Sequence, residues 1–112
     1  MMNHDNCLKV IIQETIKESG FMFEIRNDNV DKKKFKALCN AIDEMKVYYA
    51  KKNIIDKRLA ACLFEVPWQI ENIVEHYNEK SEMLGNELSN MADEIREKID
   101  DLLWEGLEDT YK

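Results

Sequence analysis

LAACLFEVPWQIENIVEHY, residues 59–77, is the most apolar run of the chain, and Pro67 stands in its middle. Whether that proline separates two helices or bends one decides how many helices the protein packs. At about 100° per residue, Leu59, Leu63, Val66, Ile70, Ile73 and Tyr77 stay within about 40° of one line along a helix. The line crosses Pro67 with no change of phase. Two independent helices would have no reason to share it, so the pattern predicts one proline-kinked helix over about residues 54–78. The alternative puts Pro67 at the first position of a new helix, where its missing N–H is no loss. Phe64 and Trp68, four apart, fall on the opposite side. A helix apolar on two sides is either central to a bundle or half-covered by something else.

Upstream, a first helix is predicted over about Asp5–Ser19, with Asp5 or Asn6 as N-cap and Gly20 just past its end. Leu8, Ile11, Ile12 and Ile16 make its apolar stripe. In FMFEI, Phe21, Phe23 and Ile25 alternate as in a strand. One strand without a partner makes no sheet, so the segment reads as an extended connector carrying aromatics into the core, or as one side of an intermolecular pair. RNDN turns the chain and DNVDKKKF opens a second helix. Phe35, Leu38, Cys39, Ile42, Met45 and Tyr49 recur at helical spacing along it to about Lys52, and Asn53 breaks it. NEKSEMLGNEL leads into a last helix, capped by Ser81 or Asn86 and ended or loosened by Gly106. Its narrow stripe of Leu84, Leu88, Met91, Ile95, Ile99 and Leu102 suits antiparallel packing. The expected architecture is all-α: a four-helix antiparallel bundle-like single domain over residues 1–112, with a proline-kinked third helix.

Composition agrees. The 112 residues are 45% apolar and 35% charged, enough for one core without covalent staples. Three glycines and one proline supply little material for the turns of an all-β fold. Cys7, Cys39 and Cys62 are odd in number and far apart, so they read as three buried thiols in a reducing compartment. The opening MMNHDNCLKVIIQ lacks the basic region of a signal peptide, and no apolar run approaches membrane-spanning length. A cytoplasmic protein with no membrane partner is expected.

The net charge of −7 conceals an asymmetry: residues 1–20 carry −1, residues 21–60 carry +4 and residues 61–112 carry −10. The acidic half is suited to a cationic partner, or else the two halves attract each other within the fold. The basic cluster Lys32, Lys33, Lys34 and Lys36 is local, and the overall charge repels phosphate, so nucleic acid is not an expected partner.

Little in the chain carries catalysis. His4 falls in a segment expected to fray, and His76 reads as a surface histidine, without the Glu-x-x-His spacing of a di-iron bundle. Cys39 and Cys62 lie beside core stripes, where small inert thiols belong. No glycine-rich phosphate loop is present. Glu79-x-x-Glu82, then fourteen residues, then Glu97-x-x-Asp100 resembles the paired acidic motifs of the MazG-like nucleotide pyrophosphatases. That resemblance implies an all-α enzyme whose carboxylates hold magnesium between helices. With Ile95 and Ile99 facing inward, however, Glu97 and Asp100 point about 140–200° away, into water.

The same helical wheel puts Asp93, Glu97, Asp100, Asp101, Trp104 and Glu108 on the outer face of the last helix, with Tyr111 joining them if the helix persists. A tryptophan among carboxylates opposite the packing stripe suits a binding anchor with electrostatic steering. Alternatively, Trp104 caps the bundle against the first helix or the Phe21–Phe23 connector. The predicted function is a non-enzymatic protein-binding module without cofactor or metal, an immunity- or antitoxin-type inhibitor of a basic, nuclease-like toxin domain. Richness in Lys, Asn and Ile suits an AT-rich microbial gene, as at bacterial toxin–immunity loci. The alternatives are a dimeric helical regulatory or structural protein that self-associates through Phe64 and Trp68, and the magnesium-dependent pyrophosphatase.

Overall fold

The computed structural model describes residues 3–107, and these are all-α. The helices are α1 (His4–Thr15), α2 (Phe21–Ile25), α3 (Lys32–Tyr49), α4 (Lys57–Leu63), α5 (Val66–Lys80) and α6 (Glu82–Trp104). The four predicted helices are five segments, α1, α3, α4 with α5, and α6, and α2 is a sixth in the place of the predicted connector. α5 and α6 form an antiparallel hairpin about Ser81, which ends one helix and caps the next by accepting the Leu84 N–H. α3 packs on α6 and on α1, α4 on α1, and α2 bridges α1 and α5. The shortest dimension, 21 Å, corresponds to two layers of helices.

The third predicted helix is interrupted. α4 ends at Leu63, and Pro67 is the second residue of α5, close to the arrangement the alternative reading describes. Its missing N–H falls in a first turn, where no intrahelical partner exists. The common phase nevertheless survives, because Phe64 (φ −53°, ψ −46°) and Glu65 (φ −103°, ψ −1°) both stay in the right-handed helical region. Leu59, Leu63, Val66, Ile70 and Tyr77 are all buried, and Ile73 packs partly against the same core.

FMFEI is a one-turn helix rather than an extended connector. Phe21, Met22 and Ile25 are buried at i, i+1 and i+4, a spacing that five residues satisfy as readily as alternation. Its ends are held from outside. Glu14 Oε1 accepts the Phe21 N–H at 3.0 Å, and the Tyr77 hydroxyl donates to the Ile25 carbonyl at 2.8 Å. Gly20 is required just before it, because a Cβ there would overlap the Gln13 carbonyl of α1. Lys34 ties the α1–α2 link down by donating to the Ser19 carbonyl at 2.6 Å and pairing with Glu24. One lysine of the basic cluster is therefore structural, and Lys32 pairs with Glu87 at 3.1 Å.

α1 ends at Thr15, earlier than predicted, and its cap is Asn3, which accepts the Asn6 N–H. The early end leaves Ile16, assigned to the core stripe, exposed. His4 does not fray: it lies in α1, with Nε2 2.7 Å from the Tyr49 hydroxyl and its ring against Tyr48. α3 follows its prediction closely, with Asp31 as N-cap and Phe35, Leu38, Cys39, Ile42, Met45 and Tyr49 buried. In α6, Leu88, Met91, Ile95 and Leu102 are buried, and Leu84 and Ile99 pack partly against them. Gly106, at φ +84°, follows the end of α6 as expected.

Candidate functional site

α6 is a ridge with a depression on each side, and of its acidic face Asp100 falls on one side and Glu97 and Asp101 on the other. On the α5 side lies a groove of about 380 Å³. One bank is Phe64, Pro67, Trp68 and Glu71; the other is Arg96, Ile99, Asp100 and Leu103, with Leu63 contributing below. Each bank spans two helical turns at i, i+3, i+4 and i+7, and the banks run antiparallel. Phe64 therefore faces the Leu103 end, and Glu71 pairs with Arg96 at the other end.

The groove is apolar where it is most open: Phe64 is 83% exposed, Trp68 60% and Leu103 46%. Three large exposed hydrophobics sharing one concave surface differ from the scattered apolar residues of an ordinary surface. Beyond Leu103 the apolar surface continues into a smaller depression that includes Ile54, Ile55 and Leu107. Arg96 is engaged by Glu71 and by Asp93, the latter at 3.1 Å. Asp100 has no ion-pair partner among the described residues and stands as the uncompensated charge of the groove.

On the α3 side, Glu97 and Asp101 line a polar depression of about 330 Å³ with Asp43, Lys46, Glu94 and Lys98. Lys98 bonds both carboxylate oxygens of Asp43 at 3.0 Å. Four carboxylates and two lysines leave this depression acidic, and among the described residues lining it only Asp43 and Lys98 form an ion pair.

Of the predicted site residues, Asp93, Glu97, Asp100 and Asp101 are exposed. The structure brings Phe64 and Trp68 together with Asp100, which the sequence placed in separate surfaces. It separates Glu97 and Asp101 from them, and it half-buries Trp104, the last residue of α6. Glu108 and Tyr111 lie outside the described residues. Sequence reasoning missed Glu71, Arg96, Ile99 and Leu103. The i, i+3, i+4, i+7 spacing on both banks was visible, but no sequence signal says that those two banks face each other.

The other candidates are built as structural groups. His76 is exposed, 2.6 Å from Asp28, which Lys80 also meets at 2.8 Å. Burial, then the neighbouring Glu94 carboxylate, pushes the Cys39 thiol up to about 12. Burial followed by Glu44 likewise raises Cys7. Both thiols are thereby kept protonated and inert. Among the described residues no group of three or more His, Cys, Asp or Glu side chains could hold a metal ion. Glu97 and Asp100, one half of the acidic motif, line different sides of α6. No helix among the described residues is long and apolar enough to cross a membrane.

No family model matches this chain, and neither does any curated protein or solved structure.

Proposed function

We propose that the protein is a non-enzymatic binding module of the immunity or antitoxin kind, which masks a basic, nuclease-like toxin through α6 and the groove beside it. The observation that carries this reading is the meeting of Phe64 and Trp68 with Asp100 in one open groove. Exposed aromatic side chains in a concavity supply the large, rigid contact area of binding hot spots, and an unpaired carboxylate beside them favours a cationic partner. A nuclease domain must itself be cationic to hold its polyanionic substrate, so an inhibitor with its acidity concentrated in residues 61–112 is complementary to it. A cytoplasmic location is part of the proposal, since a nuclease must be masked where the cell keeps its nucleic acid.

The test is co-expression with a toxin domain encoded by a neighbouring gene. The chain should protect cells from that domain and abolish its cleavage of nucleic acid in vitro at equimolar concentration. Failure to bind the domain would overturn the reading.

A second reading, a self-associating helical regulator, draws on the apolar continuity from Trp68 through Leu103 towards Ile54. Charge disfavours it, because two copies that each carry −7 would meet through their acidic halves. The magnesium pyrophosphatase has least support, since its four carboxylates are spread over α5 and both sides of α6.

A further inference from the structure

We infer that the groove between α5 and α6 takes an amphipathic α-helix of the partner, with apolar side chains on successive turns and an arginine or lysine that reaches Asp100. This deepens the proposed function and rests on it in one respect, that the chain binds another protein.

The shape is the first argument. Both banks are helical ridges two turns long, antiparallel, with the apolar strip formed by Leu63, Pro67 and Ile99 between Phe64 and Trp68 on one side and Leu103 on the other. A third helix packs into such a furrow as ridges into grooves. The floor runs roughly 10 Å along the helices, and the depression at Ile54, Ile55 and Leu107 extends it past Leu103. The Glu71–Arg96 pair marks the other end.

The second argument is backbone hydrogen bonding. An occupant laid on an apolar floor must satisfy its own N–H and C=O groups. A helix does so internally. A peptide bound as a β-strand would need a sheet edge, and the described residues contain no strand.

Charge chooses between occupants. Arg96 is neutralised by Glu71 and Asp93, so the remaining charge of the groove is the Asp100 carboxylate. An anionic occupant is disfavoured there. A second copy would bring a second Asp100 and another −7. A helix with a cation beside its apolar stripe meets both the floor and the rim. Arginine suits the site better than lysine, because it can engage the carboxylate with two parallel N–H donors and lay its plane on Trp68.

The probe is a synthetic helical peptide with leucine on three successive turns of one face and arginine beside the middle leucine. A control peptide carries glutamate in place of the arginine. Labelled peptide is titrated with the full chain by fluorescence anisotropy, and the chain alone is examined by sedimentation. Saturable binding is expected, weakened about tenfold or more by the glutamate and about thirtyfold by Trp68→Ala. Trp68 is largely exposed, so its truncation leaves the fold intact. Absence of peptide binding, binding indifferent to Trp68→Ala, or preference for the glutamate peptide would each overturn the inference. So would a free chain that dimerises at micromolar concentration and is made monomeric by Phe64→Glu, since a second copy would then be the occupant. Neutralisation of a toxin that survives Trp68→Ala would remove the groove while leaving the proposed function standing. Peptide binding without neutralisation would do the reverse.

Discussion

Gly85 and Asn78 face each other across the α5–α6 hairpin so closely that a methyl group on Gly85 would overlap Asn78 Oδ1 and stand 3.1 Å from Asn78 Cα. Asn78 Oδ1 is itself buried without a hydrogen-bond partner. An alanine in a helix interior ordinarily gains about 1 kcal/mol over glycine. Here overpacking should prevail, and Gly85→Ala should cost about 1–3 kcal/mol in urea unfolding. Asn78→Ala, which removes both the overlapping oxygen and its unpaired lone pairs, should restore most of that loss in the double variant. A Gly85→Ala protein as stable as the parent would show that the hairpin spacing does not depend on this contact.

Glu14 links local sequence to the placement of α2 and should leave a signature in pH. Burial raises its carboxyl above the ordinary range, against the lowering pull of the Phe21 N–H and of Lys34. Between the ordinary value, about 4.3, and the raised one, the folded chain holds more protons than the unfolded chain. Stability therefore falls as pH rises across that window and stays lower above it. Glu14→Gln keeps the acceptor for Phe21 and cannot ionise, so it should lose this fall. Glu14→Ala, which removes the cap, should cost about 1–2 kcal/mol. Identical pH profiles for the parent and Glu14→Gln would mean that Glu14 ionises freely.

The cysteines should separate by reactivity. Cys7 and Cys39 are buried with raised thiols, whereas Cys62 is half-buried at the edge of α4. With iodoacetamide at mildly alkaline pH, mass spectrometry should find Cys62 modified first. Cys7 and Cys39 should react only as fast as the chain opens. Early modification of Cys39 would contradict its burial against α6.

Charge reversal on α6 should distinguish its two sides. Asp100→Lys should slow association with the arginine peptide and flatten its dependence on salt. Asp101→Lys, on the α3 side and outside the groove, should do so much less, with circular dichroism native in both. Equal effects would mean that the acidic face acts through its summed charge and that Asp100 has no special place.

Trp104 is half-buried, between a surface anchor and a core residue. Truncation to alanine should therefore cost about 1–2 kcal/mol in urea unfolding, above the roughly half a kcal/mol of surface changes and below the 3–5 kcal/mol of core aromatics. A loss within the core range would make Trp104 the cap of the bundle end, and a negligible one would return it to the recognition surface.

Features that depend on near neighbours along the chain were legible in the residues alone. Helical period assigned α3, α6 and the buried line from Leu59 to Tyr77, because residues three and four apart share a face whatever the rest of the chain does. The Ser81 cap was legible for the same reason, since it acts within a single turn. Contacts between residues far apart in the chain settled the others. FMFEI is too short for either period to prevail, and its helix is held by Glu14 at one end and by Tyr77, 52 residues from Ile25, at the other. His4 is ordered by Tyr49, 45 residues away, so its position near the start of the chain carried no information about its mobility. Phe64 and Trp68 were legible as a second apolar face, and Asp100 as part of an acidic one. That they form one groove, and that Trp104 and Glu97 do not belong to it, follows from how α5 and α6 are rotated against each other. That rotation is set by contacts such as Gly85 against Asn78 and Glu71 with Arg96, between residues whose proximity exists only once the hairpin has closed.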